Sequence, residues 1–245
     1  MRAVILAAGR GSRMKEMTIE RPKCLVELRG RTLLEWQLEA LRKAGIKEIA
    51  IVTGYKSELL SGCGTRSFHN QRWAETNMVS SLTCADAWLQ DGPCIVSYSD
   101  IFYESSAVSS LMTNTANIAV TYDPNWLMLW EKRFGDPLLD AETFRLNSDK
   151  TLAEIGNKPK SVQEVQGQYM GLLRFTPIGW AEVLRIRKGL SPAECDRMHM
   201  TGTLQKVIEA ARIEIEAIPY ALPWGEVDSV EDLKAYQEPS KSGDC

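Results

Sequence analysis

The chain has 245 residues, 44% of them hydrophobic and 25% charged, with a formal net charge of -3. That is enough apolar material for the core of one large domain or two small ones, and the mild acidity, with no basic tail or stripe, argues against nucleic acid as a partner. The first apolar run breaks at Gly9, too short for a signal peptide or a membrane span, so the expectation is a cytoplasmic protein without a membrane partner.

Ala3 to Ala7 has the length of a buried strand and runs directly into LAAGRGSR, Leu6 to Arg13. Glycine at Gly9 and Gly11 lets backbone N–H groups approach a ligand with no Cβ in the way, and a nest of amides suits an anion. Arg10, Arg13 and Lys23 add cationic side chains, which suits a polyphosphate. Met14 stands where a dinucleotide fingerprint needs glycine or alanine, and no GxxxxGK follows, so two better-known phosphate loops are excluded. A strand, LAAGRGSR, a spacer and then Pro22-Lys23 resembles the nucleotidyltransferase superfamily, which joins a nucleoside triphosphate to a phosphorylated acceptor and releases pyrophosphate. Gly9, Gly11, Arg13 and Lys23 fall on that signature.

Further along, Thr32 and Glu35 form a capping-box pair ahead of Leu33, Leu34, Leu38 and Leu41, and Gly45 ends the helix so predicted over residues 32–44. Strands are predicted over Lys47 to Thr53, Cys94 to Tyr98 and Ala116 to Tyr122, and a helix begins at Asn77, with Met78, Val79, Leu82 and Ala85 as its apolar face. From residue 122 to 171 the pattern breaks into charge, tryptophan and turn residues. It is read as an inserted acceptor-binding or lid region with short strands near Glu142 to Leu146 and Leu152 to Ile155. Gln168 to Phe175 and Ile213 to Ile218 are strands, Ile178 to Arg187 and Gly202 to Ala211 helices. Ser229 and Asp232 cap a last helix, and a disordered polar tail follows at residues 237–245. The fold class is therefore α/β: a three-layer, doubly wound, mixed sheet, Rossmann-like, forming one domain over residues 1–236. Ligands of such sheets bind beyond the carboxyl ends of the strands, where Gly9 and Asp100 fall.

The six cysteines are scattered without a CxxC pair, and His69 and His199 stand apart from them, so no zinc site is predicted. Nucleotidyl transfer needs a hard cation and carboxylates to hold it. The resemblance implies Mg2+ as cofactor, with Asp100 of SYSD and Asp228 of WGEVD on the metal. It also implies Lys23 and Arg13 as the catalytic cations, on the phosphates and the departing pyrophosphate. Leu6, Ala7, Ala8, Gly9, Gly11 and Ser12 then line the nucleotide, together with Ser99. As simple structure, Asp100 is a turn residue and Asp228 a helix N-terminal acid.

AETNMVSSL, Ala74 to Leu82, places Asn77, Ser80 and Ser81 at a helix start, as caps or as groups facing a nucleobase. With GQYMGL, Gly167 to Leu172, it is similar to the cytidylyltransferase branch that acts on phosphocholine or on small phosphonates such as 2-aminoethylphosphonate. CTP and one such acceptor are then the partners, and a homodimer is compatible with the sequence. For the acceptor, Tyr122, Trp126, Trp130 and Tyr169 offer an aromatic wall for a trimethylammonium. Asp140 and Glu142, with Glu131 and Asp136 nearby, offer carboxylates for a primary ammonium. Three alternatives stand beside this reading: a sugar-1-phosphate nucleotidyltransferase using UTP or dTTP, a nucleotide-binding regulator without catalysis, and a dinucleotide-binding module, weakened by Met14.

Overall fold

The computed structural model describes residues 1–237. In chain order the elements are β1 (Arg2–Ala7), β2 (Glu27–Leu28), β3 (Arg31–Thr32), α1 (Leu33–Lys43), β4 (Ile49–Thr53), β5 (Arg66–His69), α2 (Met78–Thr83), α3 (Asp86–Asp91), β6 (Cys94–Tyr98), β7 (Ile101–Tyr103) and α4 (Ser105–Thr113). Then come β8 (Ile118–Asp123), α5 (Trp126–Phe134), β9 (Phe144–Leu146), β10 (Leu152–Ile155), β11 (Gln168–Phe175), α6 (Pro177–Lys188), α7 (Pro192–Arg197), α8 (Met200–Ala210), β12 (Ile215–Pro219), β13 (Trp224–Glu226) and α9 (Val230–Gln237).

Seven strands form the central sheet in the order β12-β8-β11-β6-β1-β4-β5. Within it β11 alone runs antiparallel to its neighbours β6 and β8; the other pairings are parallel. The runs that fill it are nearly continuous Val, Ile, Leu and Ala because helices cover both faces. α1 shows how locally the chain commits. Thr32 Oγ1 accepts from the Glu35 N–H at 3.1 Å, Glu35 returns the bond to the Thr32 N–H at 2.7 Å, and Leu33, Leu34, Leu38 and Leu41 face inward.

Because β11 is reversed, its amino end lies beside the carboxyl end of β8, with Tyr169 opposite Tyr122, at the edge where β1 and β6 also finish. The short β13 pairs antiparallel with β7, placing Glu226 opposite Ile101, and the Val227 N–H donates to the Asp100 carbonyl at 2.9 Å. A small second core of Met14, Val26, Leu28, Leu33, Val227 and Leu233 ties the stretch after the glycine loop to α1 and α9. Met14, wholly buried there, is the residue that breaks the dinucleotide fingerprint, and its side chain anchors the loop.

Two expectations need correction. The helix starting at Asn77 does not continue through Ala85: α2 ends at Thr83 and α3 restarts after Ala85. The region 122–171 starts inside β8 and ends inside β11, two strands of the central sheet, and it contains α5 besides the two expected short strands. The tail lies outside the described residues, apart from Gln237, which ends α9.

Candidate active site

The loop after β1 is shaped by Gly11, which sits at φ +75°. A Cβ there would meet the Lys23 stem, 2.7 Å from its Cβ, so glycine is required twice, for conformation and for room. The loop thereby packs on the aliphatic part of Lys23, which is 8% exposed, and aims the ammonium at the end of β6. Lys23 Nζ donates to Asp100 Oδ2 at 2.8 Å and to Asp228 Oδ1, and Arg13 pairs with Asp228 Oδ2 at 3.1 Å. Burial works to lower the Lys23 pKa, but the two aspartates outweigh it and hold the ammonium above its ordinary range.

A third carboxylate joins them. Oxygen atoms of Asp100, Glu226 and Asp228 lie within 4.8 Å of one another. Asp100 Oδ1 is buried with no hydrogen-bond partner among the described residues, and Glu226 is pushed well above the usual carboxylate range, first by burial and then by Asp228 and Asp100. A set of hard oxygen donors with an unpartnered carboxylate oxygen fits a hard divalent cation such as Mg2+.

Two adjoining cavities share this cluster. The first, of about 310 Å³, is walled by Leu6, Ala8, Gly9, Gly11, Ser12 and Arg13 on one side. Asn77, Ser81, Ser99, Asp100, Asp228 and Lys23 complete it, with Trp73, Thr76, Met78 and Tyr98, which the motif reading did not single out for the nucleotide. Asn77 caps α2, its Oδ1 accepting from the Met78 N–H at 2.7 Å while its Nδ2 lies 3.1 Å from His199 Nδ1. Ser81 Oγ accepts from Asn70 Nδ2 at 2.9 Å.

The second cavity, of about 220 Å³, opens on the other side of the same cluster and is lined by Asp140, Glu142, Gln168, Tyr169, His199 and Thr201, together with Glu226. Arg13, Met78, Tyr98, Asp100 and Asp228 line both cavities. Burial raises the pKa of Asp140 and of Glu142; for Glu142 a hydrogen bond from Thr201 and the nearby His199 work against that rise. Tyr169 meets Tyr98 edge to face at 5.8 Å, and Gly171, at φ +78°, keeps a Cβ out of the Tyr98 ring.

Five of the residues expected at the site lie elsewhere. Ala7 is enclosed in the sheet, since alternate residues of a strand point to opposite faces and only Leu6 and then Ala8 reach the cavity. Ser80 donates to the Cys195 carbonyl at 3.1 Å and accepts from Arg187 Nη2 at 3.1 Å, tying α2 to the α6–α7 connection. Trp130 is fully buried on the inner face of α5, stacked 6.4 Å from Trp224. Tyr122 packs on Phe144 at 5.0 Å. Trp126 is core as well, its Nε1 donating to the Val165 carbonyl at 3.1 Å, so of the four expected aromatics only Tyr169 lines the cavity. Glu226 and His199 were missed. For Glu226 the signal was present, since in GEVD a residue two before Asp228 shares its face on an extended chain; for His199 no sequence signal was present.

A family model described as a MobA-like NTP transferase domain matches residues 3–145. The chain is 34% identical to a CTP:phosphoglutamine cytidylyltransferase of Campylobacter jejuni, across 97% of this chain and 100% of that one. A choline-phosphate cytidylyltransferase of Streptococcus pneumoniae is 41% identical across 34% of this chain and 38% of its own. In fold, an inositol-1-phosphate CTP transferase of T. maritima superposes with a TM-score of 0.76 at 18% identity, covering 96% of this chain and 93% of that one. With the glycine loop, the lysine and the acidic cluster in one cleft at the carboxyl edge of a doubly wound sheet, the chain belongs to the MobA-like NTP transferases and is a nucleotidyltransferase of the cytidylyltransferase branch.

Proposed function

We propose that the protein transfers the cytidylyl group of CTP to a small phosphorylated or phosphonylated compound bearing a protonated amine, with release of pyrophosphate. The observation that carries this reading is the pair of cavities meeting at the Lys23, Asp100, Asp228 cluster, the second of them walled by Asp140 and Glu142. CTP occupies the first cavity, its phosphates along the Gly9–Gly11 amides. The acceptor occupies the second, its phosphate toward the cluster and its amine toward the carboxylates.

An acceptor oxygen attacks the α-phosphorus in line, the new P–O bond forms, and the bond to the β-phosphate breaks. The attacking group is already an anion near neutral pH, so no general base is required. The buried Lys23 and the more exposed Arg13 stabilise the charge that grows on the phosphoryl oxygens and on the leaving group, an electrostatic effect preorganised by their ion pairs with Asp100 and Asp228. Asp100, Glu226 and Asp228 would hold Mg2+, which would neutralise the two anions that must approach each other.

What lines the second cavity supports this acceptor class. A trimethylammonium prefers several aromatic faces, and the tryptophans expected to supply them are in the core. A primary ammonium donates hydrogen bonds, and two carboxylates are there to accept them. The full-length relative takes phosphoglutamine by its name, a compound whose amino group is of this kind.

Mg2+-dependent pyrophosphate release, crossing CTP, UTP, ATP, GTP and dTTP with phosphoglutamine, phosphoethanolamine, 2-aminoethylphosphonate, phosphocholine and sugar 1-phosphates, tests it. We expect CTP to be preferred, and phosphoethanolamine to exceed phosphocholine by about tenfold or more in kcat/KM, the worth of one charge-assisted hydrogen bond. Preference for phosphocholine would overturn the acceptor class. Turnover only with a sugar 1-phosphate and UTP or dTTP would overturn the reading as a whole.

A further inference from the structure

The acidic cluster is held from behind by an arginine outside every motif in the sequence. Arg133, on α5, has a side chain that is 1% exposed. Its Nε and Nη2 bond the two oxygens of Asp232 at 2.7 and 3.2 Å, and its Nη1 reaches Glu226 Oε2 at 3.3 Å. The guanidinium is fixed on its faces too, 4.7 Å from the Trp130 ring centroid and 4.8 Å from that of Phe134.

Asp232 passes the restraint on. Its Oδ2 accepts from the backbone N–H of Asp228 at 3.0 Å, from that of Ser229 at 2.9 Å and from Ser229 Oγ at 2.9 Å. One guanidinium therefore fixes the Glu226 carboxylate directly and the Asp228 backbone through a single intermediary. Three donors in a rigid fork can do this; an ammonium lacks the planar fork that engages both oxygens of Asp232 and reaches Glu226 as well.

We propose that Arg133 is a positioning residue that sets the spacing of Glu226 and Asp228, and so the affinity of the cluster for a divalent cation. It does not touch substrate; it acts through its two carboxylate partners. The inference rests on the reading above that the cluster serves nucleotidyl transfer. It gives α5 a task that its place between β8 and β11 would not otherwise require. A buried pair kept for stability alone is weakly motivated, because well-packed apolar residues often serve as well.

The test uses the full chain as Arg133→Lys and, separately, Asp232→Asn, with folding followed by circular dichroism and melting. Mn2+ is the metal probe, bound in the presence of CTP without acceptor and read by paramagnetic resonance, so that the measurement does not depend on turnover. Partners of this kind around metal ligands are worth about 10- to 100-fold in metal affinity or activity. For Arg133→Lys we expect Mn2+ affinity to fall by about that factor, kcat to fall with it, and the KM of the acceptor to stay within about twofold. Asp232→Asn should move Mn2+ affinity in the same direction.

Folded variants with wild-type Mn2+ affinity would overturn the proposal, as would two variants that fail to fold, since Arg133 would then be a staple between α5 and α9. A wild-type protein that neither binds Mn2+ with CTP nor turns over would instead sink the proposed function, an outcome distinct from the first.

Discussion

Glu142 and Asp140 face the second cavity with carboxyl groups whose pKa burial raises, so each keeps its proton to a higher pH than an exposed acid does. An ammonium is bound by the ionised form. Under the proposed function, acceptor affinity should therefore be full above the raised pKa values and be lost as pH falls through them. His199, Thr201 and Arg13 line the same cavity. Replacing Glu142 with Gln removes a charge but keeps shape. We expect the acceptor KM to rise about tenfold at neutral pH, the CTP KM to be unchanged, and the dependence of acceptor KM on pH to become shallower. Acceptor KM against pH for both proteins checks this; identical profiles would remove Glu142 from acceptor binding.

At the scale of elements, the glycine loop and the segment around Lys23 form one packed unit, since Gly11 makes room for the Lys23 stem and Met14 anchors the following turn in the small second core. Gly11→Ala should therefore act twice. A left-handed conformation costs a residue with a Cβ about 1–2 kcal/mol, and the added methyl displaces Lys23, so both stability and CTP affinity should drop. Chemical denaturation and CTP titration of this variant measure the two effects; wild-type values in both would mean that the loop does not pack as described. Elements of this kind were legible in the sequence because their causes are local. The capping box of α1, the run of β6 and the span of β11 each depend on residues next to one another, and the sequence reading found them. The pairing of β7 with β13 was not legible, because two three-residue strands from distant parts of the chain have no local signal. That pairing brings Glu226 to Asp100; the alternation in GEVD sets Glu226 beside Asp228, but nothing local sets it beside Asp100. α5 was missed for a related reason. WLMLWEKRF carries aromatic and charged residues at helical spacing, but only the surrounding core shows that Trp130 faces inward and that Arg133 reaches across to Glu226. The tryptophans thus read as an acceptor wall when they are the packing beneath it.

For the molecule as a whole, the relation between the two cavities constrains the order of chemistry. They adjoin, with Arg13, Met78, Tyr98, Asp100 and Asp228 belonging to both, so that under the proposed function CTP and acceptor are bound at once with the acid cluster between them. Holding both reactants together makes direct attack effectively unimolecular, which removes the need for an enzyme-bound nucleotidyl intermediate. The rival route would carry the nucleotide on a side chain, and His199, which lines the second cavity with its Nδ1 3.1 Å from the amide of Asn77 in the first, is the nucleophile that route would use. The two routes differ in observables. Direct transfer gives intersecting lines when initial rates are measured at varied CTP and several fixed acceptor concentrations, and a protein whose intact mass is unchanged after incubation with CTP and Mg2+ alone. A covalent route gives parallel lines and a protein heavier by one cytidylyl group, with the adduct lost in His199→Ala. We expect the intersecting pattern and no adduct, because the ring of His199 lies on the acceptor side of Asn77, where it lines the cavity assigned to the amine and not the wall beside Lys23.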